Sequence, residues 1–194
     1  AQIDTLVLTY FRPIEEVGIY NVVLPTAMLL ITLGSSLALA MLPLISEFWY
    51  AKKIVEVKQL VKNVYSKSFA LIIPIGFILF GFSELVLKIL FGDKFVVGSL
   101  ALRILSLGAI FFAFAVINNN ILVATGNPKR VTQTILSAAL LNLILNLILI
   151  PKYGMNGAAV ATTISYLLVL ILSIFFVSRT VKMGIPFLDW LKIL

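Results

Sequence analysis

The stretch VTQTILSAALLNLILNLILI-PKYG-MNGAAVATTISYLLVLILSIFFV, residues 131–177, decides the class of this protein. Its arms, Val131 to Ile150 and Met155 to Val177, are each about twenty or more residues of mostly apolar chain. At about 1.5 Å per residue each arm is long enough to cross the hydrocarbon core of a bilayer. Between them, Pro151-Lys152-Tyr153-Gly154 carries the residues that end one helix and turn the chain into the next. A pair of membrane-crossing helices joined by a tight corner is therefore expected.

Three more runs of the same kind lie upstream: Val17 to Pro43, Ser68 to Phe91 and Ser99 to Thr125. Ile3 to Phe11 is too short to span and reads as the tail of a helix begun earlier. Helix-ending residues separate the runs, at Arg12-Pro13, Gly92-Asp93-Lys94 and Gly126-Asn127-Pro128. The expected fold is all-α, a polytopic transmembrane helix bundle of about five full spans plus a partial one. Three parts follow: 1–16, the end of a truncated helix and an outer loop; 17–179, the five-span lobe; and 180–194, a cytoplasmic or interfacial tail bearing Phe187, Trp190 and Leu191. The first residue is Ala1 rather than Met, so the chain is expected to be a fragment.

Composition leaves little room for another class. With 61% hydrophobic and 12% charged residues and a mean hydropathy of +1.13, too little polar surface exists to solvate a soluble domain of 194 residues. The chain has neither Cys nor His, which excludes disulfide frameworks, thiol catalysis and the commonest metal ligands. It holds no phosphate-binding Gly-rich loop ending in Lys-Ser/Thr and no nucleophile beside a base. An enzyme is not expected, nor a cofactor.

The net charge of +7 follows membrane topology rather than nucleic-acid binding. Lys52, Lys53, Lys58, Lys62, Lys67, Lys129, Arg130, Arg179, Lys182 and Lys192 fall on one side of the alternating spans, against Arg12, Lys88, Lys94, Arg103 and Lys152 on the other. The positive-inside rule places the Lys-rich side in the cytoplasm of a multi-pass protein of the cell (plasma) membrane. Within 51–67, Ile54, Val57, Leu60, Val61, Val64 and Tyr65 share one helical face and the lysines cover the other. That pattern predicts a basic amphipathic helix lying along the cytoplasmic interface, as a charged topology anchor or as a binder of anionic lipid head groups.

Polar side chains inside spans are the functional candidates. Asn118, Asn119 and Asn120 interrupt one span, and Asn142 and Asn146 share a face of the next. Amides suit either interhelical hydrogen bonds or a water-filled cavity that receives sugar hydroxyls. Glu84 and Lys88 are spaced for a local ion pair, with ion coupling through Glu84 as the sharper reading. Arg103 is either a snorkelling residue or a cation facing a phosphate in the cavity, and Asp4 is a further cavity candidate. Gly157, Ala161 and Ser165 form a small-residue stripe for close helix contact, and Pro25 and Pro74 bend their spans.

The loops, taken together, carry a resemblance. Gly18-Ile19-Tyr20-Asn21, Leu42-Pro43-Leu44-Ile45-Ser46, Leu90-Phe91-Gly92-Asp93-Lys94-Phe95, Ala124-Thr125-Gly126-Asn127-Pro128-Lys129-Arg130 and Ile150-Pro151-Lys152-Tyr153-Gly154-Met155-Asn156-Gly157-Ala158-Ala159 occur in this order. From about Asp4 to Arg179 the chain resembles the second half of the polysaccharide-biosynthesis flippases. Their superfamily also holds multidrug and toxin extrusion transporters and lipid II flippases. The resemblance implies one lobe of a two-lobe transporter that works by alternating access, its cargo a polyprenyl-diphosphate-linked oligosaccharide. It also implies partners: membrane lipids, and either a missing first lobe of the same protein or a homodimer mate. Arg103 is the best candidate for a cation facing the cargo diphosphate. An ion-coupled multidrug exporter, drawing on Asp4 and Glu84, and a non-transporting membrane scaffold are the alternatives.

Overall fold

A computed structural model describes residues 2–181. The tail anticipated over 180–194 therefore lies almost wholly outside the described residues. All the regular structure described is helical. Helix α1 is Gln2–Phe11, α2 Ile14–Tyr50, α3 Ile54–Gly81, α4 Ser83–Phe91 and α5 Ser99–Ala124, with a 3-10 turn at Asp93–Gly98 before α5. The final helical segment, Pro128–Val181, breaks at Gly154 into α6, residues 128–153, and α7, residues 155–181. Four helical segments are long and apolar enough to cross a membrane. The last of them folds back on itself, because Asn142 of α6 reaches Thr162 of α7 at 3.3 Å.

The break has a specific cause. Gly154 adopts φ 56°, ψ −136°, a conformation open in practice to glycine alone. The free backbone groups on either side are taken up by the α1–α2 corner. Glu16 accepts the Met155 N–H at 2.6 Å, which caps α7, and Arg12 donates to the carbonyls of Ile150 and Pro151 at 3.2 and 3.0 Å, which caps α6. A Cβ on residue 154 would stand 1.9 Å from the Glu16 carboxylate.

Helix α5 is the post around which the rest packs. Small residues let its neighbours approach: a Cβ on Gly34 of α2 would lie 3.1 Å from the Ala113 carbonyl oxygen, and one on Gly108 would lie 2.7 Å from Thr163 Oγ1 of α7. Thr163 donates to the Ile104 carbonyl at 2.9 Å across that same contact. The stripe of Gly157, Ala161 and Ser165 is buried throughout.

Two expectations need correction. The helix bearing the second span begins at Ile54 rather than Ser68, and 51–67 is not a separate helix. From Ile54 one helix runs unbroken to Gly81, bends at Phe82 and ends in the short α4. Its alignment with α5 is set by Tyr65 on Asn118 near one end and Arg103 on Ser83 near the other. Val57, Val61 and Val64 are buried in the bundle, so the apolar face of the amphipathic stretch meets protein rather than lipid. The 28 residues of α3 rise about 42 Å, close to a bilayer with its headgroups at about 40–45 Å. The helix of the first span also outruns its predicted end: α2 continues through Pro43 to Tyr50.

Gly154→Ala is expected to destabilise the lobe by about 1–3 kcal/mol from backbone strain alone, with the Glu16 clash in addition. Gly18→Ala, whose Cβ meets nothing within 4 Å, is expected to be neutral or to gain up to about 1 kcal/mol of helix propensity. Chemical unfolding in detergent micelles compares the two, and equal stabilities would refute this account of the corner.

Candidate functional site

The buried polar residues separate into two networks at different depths. The first surrounds Asp4, which sits on α1 about two turns from its outer end and is only 1% exposed. Asn146 of α6 donates to Asp4 Oδ1 at 2.6 Å and to Asn142 Oδ1 at 3.1 Å. Thr162 of α7 donates to Asp4 Oδ2 at 3.1 Å and accepts from Asn142 Nδ2. Tyr20 of α2 and Tyr166 of α7 lie near enough to feel the charge of the same carboxylate, and the Tyr20 hydroxyl is buried without a hydrogen-bond partner. Helices α1, α2, α6 and α7 therefore meet on one carboxylate, the single buried one among the described residues. A cavity of about 330 Å³ opens beside it, lined by Asp4, Asn142, Thr162, Ser165 and Tyr166 together with apolar side chains. Asn146 Oδ1 is buried there without a hydrogen-bond partner.

The arrangement has clear chemical consequences. A buried carboxylate is costly in membrane interior unless it is hydrogen-bonded or paired, which makes it a functional candidate. The oxygens around it, from a carboxylate, amides and hydroxyls, are hard donors, suited to a proton or a hard cation rather than to a soft metal. Among the described residues no cluster of His, Cys, Asp and Glu could hold a metal ion.

The second network lies towards the Lys-rich end. Tyr65 of α3 donates to Asn118 Oδ1, and Asn118 Nδ2 donates to Ser173 of α7 at 3.0 Å. Asn118 thus ties three helices together. Its neighbours do not join it: Asn120 bonds back to the Val116 carbonyl at 2.9 Å, and Asn119 Oδ1 is buried without a partner. The triplet and the Asn142–Asn146 pair do not converge on one cavity.

At the outer end the expected Glu84–Lys88 pair is replaced by two others. Glu84 pairs with Arg103 at 3.0 Å, and Lys88 with Asp93 at 2.8 Å. Helical spacing allows the local pair, but the bend at Phe82 turns Glu84 towards α5, where Arg103 also holds Ser83 at 2.8 Å.

Sequence reasoning passed over the most polar outer face of the lobe. Helices α3 and α6 present large apolar side chains outward, such as Phe77, Ile78, Leu140 and Ile144. On α2, Asn21, Thr32 and Ser36 are exposed beside Gly18, Pro25 and Pro43, interrupted by Leu29 and Leu39. Thr5 of α1 donates to Asn21 at 3.1 Å, and exposed Thr9 lies one turn further along. The signal was available: these residues recur at intervals of three, four and seven along one helical face. Tyr20 and Thr162 were missed as members of the Asp4 group because neither stands out inside its own span.

Comparison with known proteins adds an independent line. The MatE family model matches residues 1–148. An uncharacterized membrane protein of Methanocaldococcus jannaschii, MJ1068, is 33% identical over 93% of this chain and 36% of its own length. The probable low-salt glycan biosynthesis flippase Agl15 of Haloferax volcanii is 29% identical over 84% of this chain and 34% of its own length. The capsular polysaccharide biosynthesis protein CapF of Staphylococcus aureus is 29% identical over 75% of this chain and 37% of its own length. The chain thus spans about a third of the length of these relatives. No solved structure matches. With its apolar spans, the chain is a multi-pass protein of the plasma membrane.

Asn118→Ala would leave the Tyr65 and Ser173 hydroxyls buried with one partner fewer. It is expected to cost about 1–3 kcal/mol. Asn120→Ala removes only a local bond at a half-buried site and is expected to stay within about 0.5 kcal/mol of wild type. Unfolding curves in micelles separate the two, and the reverse order would contradict the assigned roles.

Proposed function

The chain belongs to the MatE family, and from that premise we propose that it forms one lobe of an alternating-access flippase for polyprenyl-diphosphate-linked oligosaccharides. The observation that carries the reading is the hydroxyl and amide face of α1 and α2, with exposed Thr9, Asn21, Thr32 and Ser36 and the half-buried Thr5 bonded to Asn21. Against lipid such a face gains nothing. The hydroxyls of Thr9, Thr32 and Ser36 donate to carbonyls of their own helices, so against a water-filled cleft facing a second lobe they offer acceptor oxygens to sugar hydroxyls and the Asn21 amide adds N–H donors. Glycan-related names among the relatives support the same cargo class. The facing lobe is supplied by the rest of the polypeptide or by a homodimer mate.

In this reading Asp4 is the coupling residue. Its carboxylate holds α1 to α6 and α7 through Asn146 and Thr162. A proton or a small cation arriving through the adjoining cavity weakens those bonds selectively, and the two arrangements of α1 become the two states that a coupled carrier needs. Glu84 and Arg103 neutralise one another at the outer edge, so neither is assigned to coupling or to the cargo diphosphate. Gly18 and Pro25 on the exposed face of α2 leave that helix free of bulk where it borders the cleft. An ion-coupled exporter of organic cations would use the same carboxylate. The choice of cargo in the assay separates the two.

Asp4→Asn in the full-length protein, reconstituted into proteoliposomes, is expected to lower translocation of labelled lipid-linked oligosaccharide at least about tenfold, equivalent to about 1.4 kcal/mol in the coupling step. Membrane abundance should be unchanged. Arg103→Ala is expected to keep most of the rate. Undiminished translocation in Asp4→Asn would remove Asp4 from the mechanism. Transport of organic cations without any glycolipid transport would replace the flippase reading.

A further inference from the structure

The two ends of the lobe treat their charges differently. At the outer end three of the five cations meet partners from the chain itself: Lys88 lies 2.8 Å from Asp93, Arg103 3.0 Å from Glu84, and Arg12 is held by two backbone carbonyls, while Lys94 and Lys152 have no carboxylate within ion-pair distance among the described residues. At the opposite end Lys52, Lys53, Lys58, Lys62, Lys67 and Lys129 have no carboxylate within ion-pair distance among the described residues. Only Glu47 and Glu56 stand at that end among the described residues, and neither pairs with a lysine. Positive-inside topology accounts for the number of these lysines. It does not account for their being left without counter-charges.

The placement of the lysines narrows what the counter-charge is. Because α3 runs through the membrane beside α5, Lys58, Lys62 and Lys67 descend its first half instead of lying on a separate surface helix. Lys62 and Lys67 are exposed while Val57, Val61 and Val64 on the other face are buried. Lys67 is two residues beyond Tyr65, which bonds Asn118, itself about 9 Å before the end of α5. An exposed lysine on this flank of a membrane-crossing helix can lay its stem along acyl chains and reach headgroup level with its ammonium. A soluble anion or protein partner does not approach from that side. A phospholipid headgroup does.

Backbone strain at the tip points the same way. Helices α2 and α5 end in the same hydrogen-bonded turn. Lys52 and Lys53 donate to Trp49 and Phe48 in one, and Gly126 and Asn127 donate to Val123 and Leu122 in the other. Each turn needs one residue at positive φ. Glycine fills it at 126 with φ 78°, and lysine fills it at 52 with φ 59°. The turns adjoin, since the Tyr50 hydroxyl would lie 3.0 Å from a Cβ on Gly126. A lysine kept where glycine is the less strained choice indicates that the charge is worth the strain.

We propose that the lysines of the α2–α3 turn and of the first half of α3, with Lys129 beside them, form a binding surface for anionic phospholipid headgroups of the cytoplasmic leaflet. The lysine ladder takes the phosphates, the exposed Tyr50, Ile54 and Val55 lie among the glycerol and upper acyl groups, and bound lipid supplies the missing counter-charge.

The test uses full-length protein in mixed phosphatidylcholine and phosphatidylglycerol nanodiscs, with retained lipid counted by mass spectrometry after extraction into detergent. Wild type is expected to retain phosphatidylglycerol above its share in the bilayer. The combined Lys58→Gln, Lys62→Gln and Lys67→Gln variant is expected to lose that preference by about fivefold or more at low salt, as expected for lysines at an anionic surface. The corresponding arginine variant should keep it. Lys52→Gly should melt higher than wild type in pure phosphatidylcholine yet retain less phosphatidylglycerol. Retention at the bulk ratio by wild type, or an unchanged preference in the glutamine variant, would overturn the proposal. So would loss of preference in the arginine variant, which would make the fold rather than the charge responsible. Inorganic phosphate replacing chloride at matched ionic strength should leave the lipid count unchanged. Release by phosphate alone would assign the lysines to a soluble anion instead.

Discussion

Inside a bilayer a helix that breaks must find partners for the backbone groups it frees, and in this lobe the break at Gly154 depends on two side chains far away in sequence. Glu16 caps one side and Arg12 the other, both from the corner between α1 and α2. Without the break, α6 and α7 would form one rod, and Asn142 and Asn146 could not share Asp4 with Thr162. The corner therefore joins the first helix pair to the last, and the polar site between them exists because of it.

Packing follows from small residues rather than from a large hydrophobic gain, as membrane helices require. Gly34, Gly108, Ala113 and Gly157 mark the places where backbones come closest. Large side chains are turned outward on α3 and α6, where lipid receives them. Helix α5 carries few exposed residues and so offers its polar groups to protein. Asn118 uses this to join α3 and α7 by two hydrogen bonds.

Some of this was legible from local pattern. The apolar runs, their punctuation and the alternation of charge gave the all-α membrane class, and the pairing of Asn142 with Asn146 followed from helical spacing. Asp4 was visible as a carboxylate in an apolar setting, but its partners were not, because Thr162 and Tyr20 come from other helices. Glu84 shows the limit most directly. Sequence spacing offers Lys88, whereas the bend at Phe82 delivers Arg103. The start of α3 at Ile54 was hidden for a related reason: hydropathy reports how apolar a segment is, not whether its polar face meets water, lipid headgroups or a neighbouring helix.

By itself the sequence determined the solvent of this protein, its all-α multi-pass class and the residues able to end each helix. These depend on transfer free energy and local backbone preference, which each segment carries wherever it goes. Tertiary structure decided which polar groups meet, where the second crossing begins, and that Arg12 and Glu16 close a corner more than a hundred residues away. Hydrogen bonds in a bilayer act over a few ångströms between helices whose relative depth and rotation no single segment encodes, so only the packed bundle could assign them.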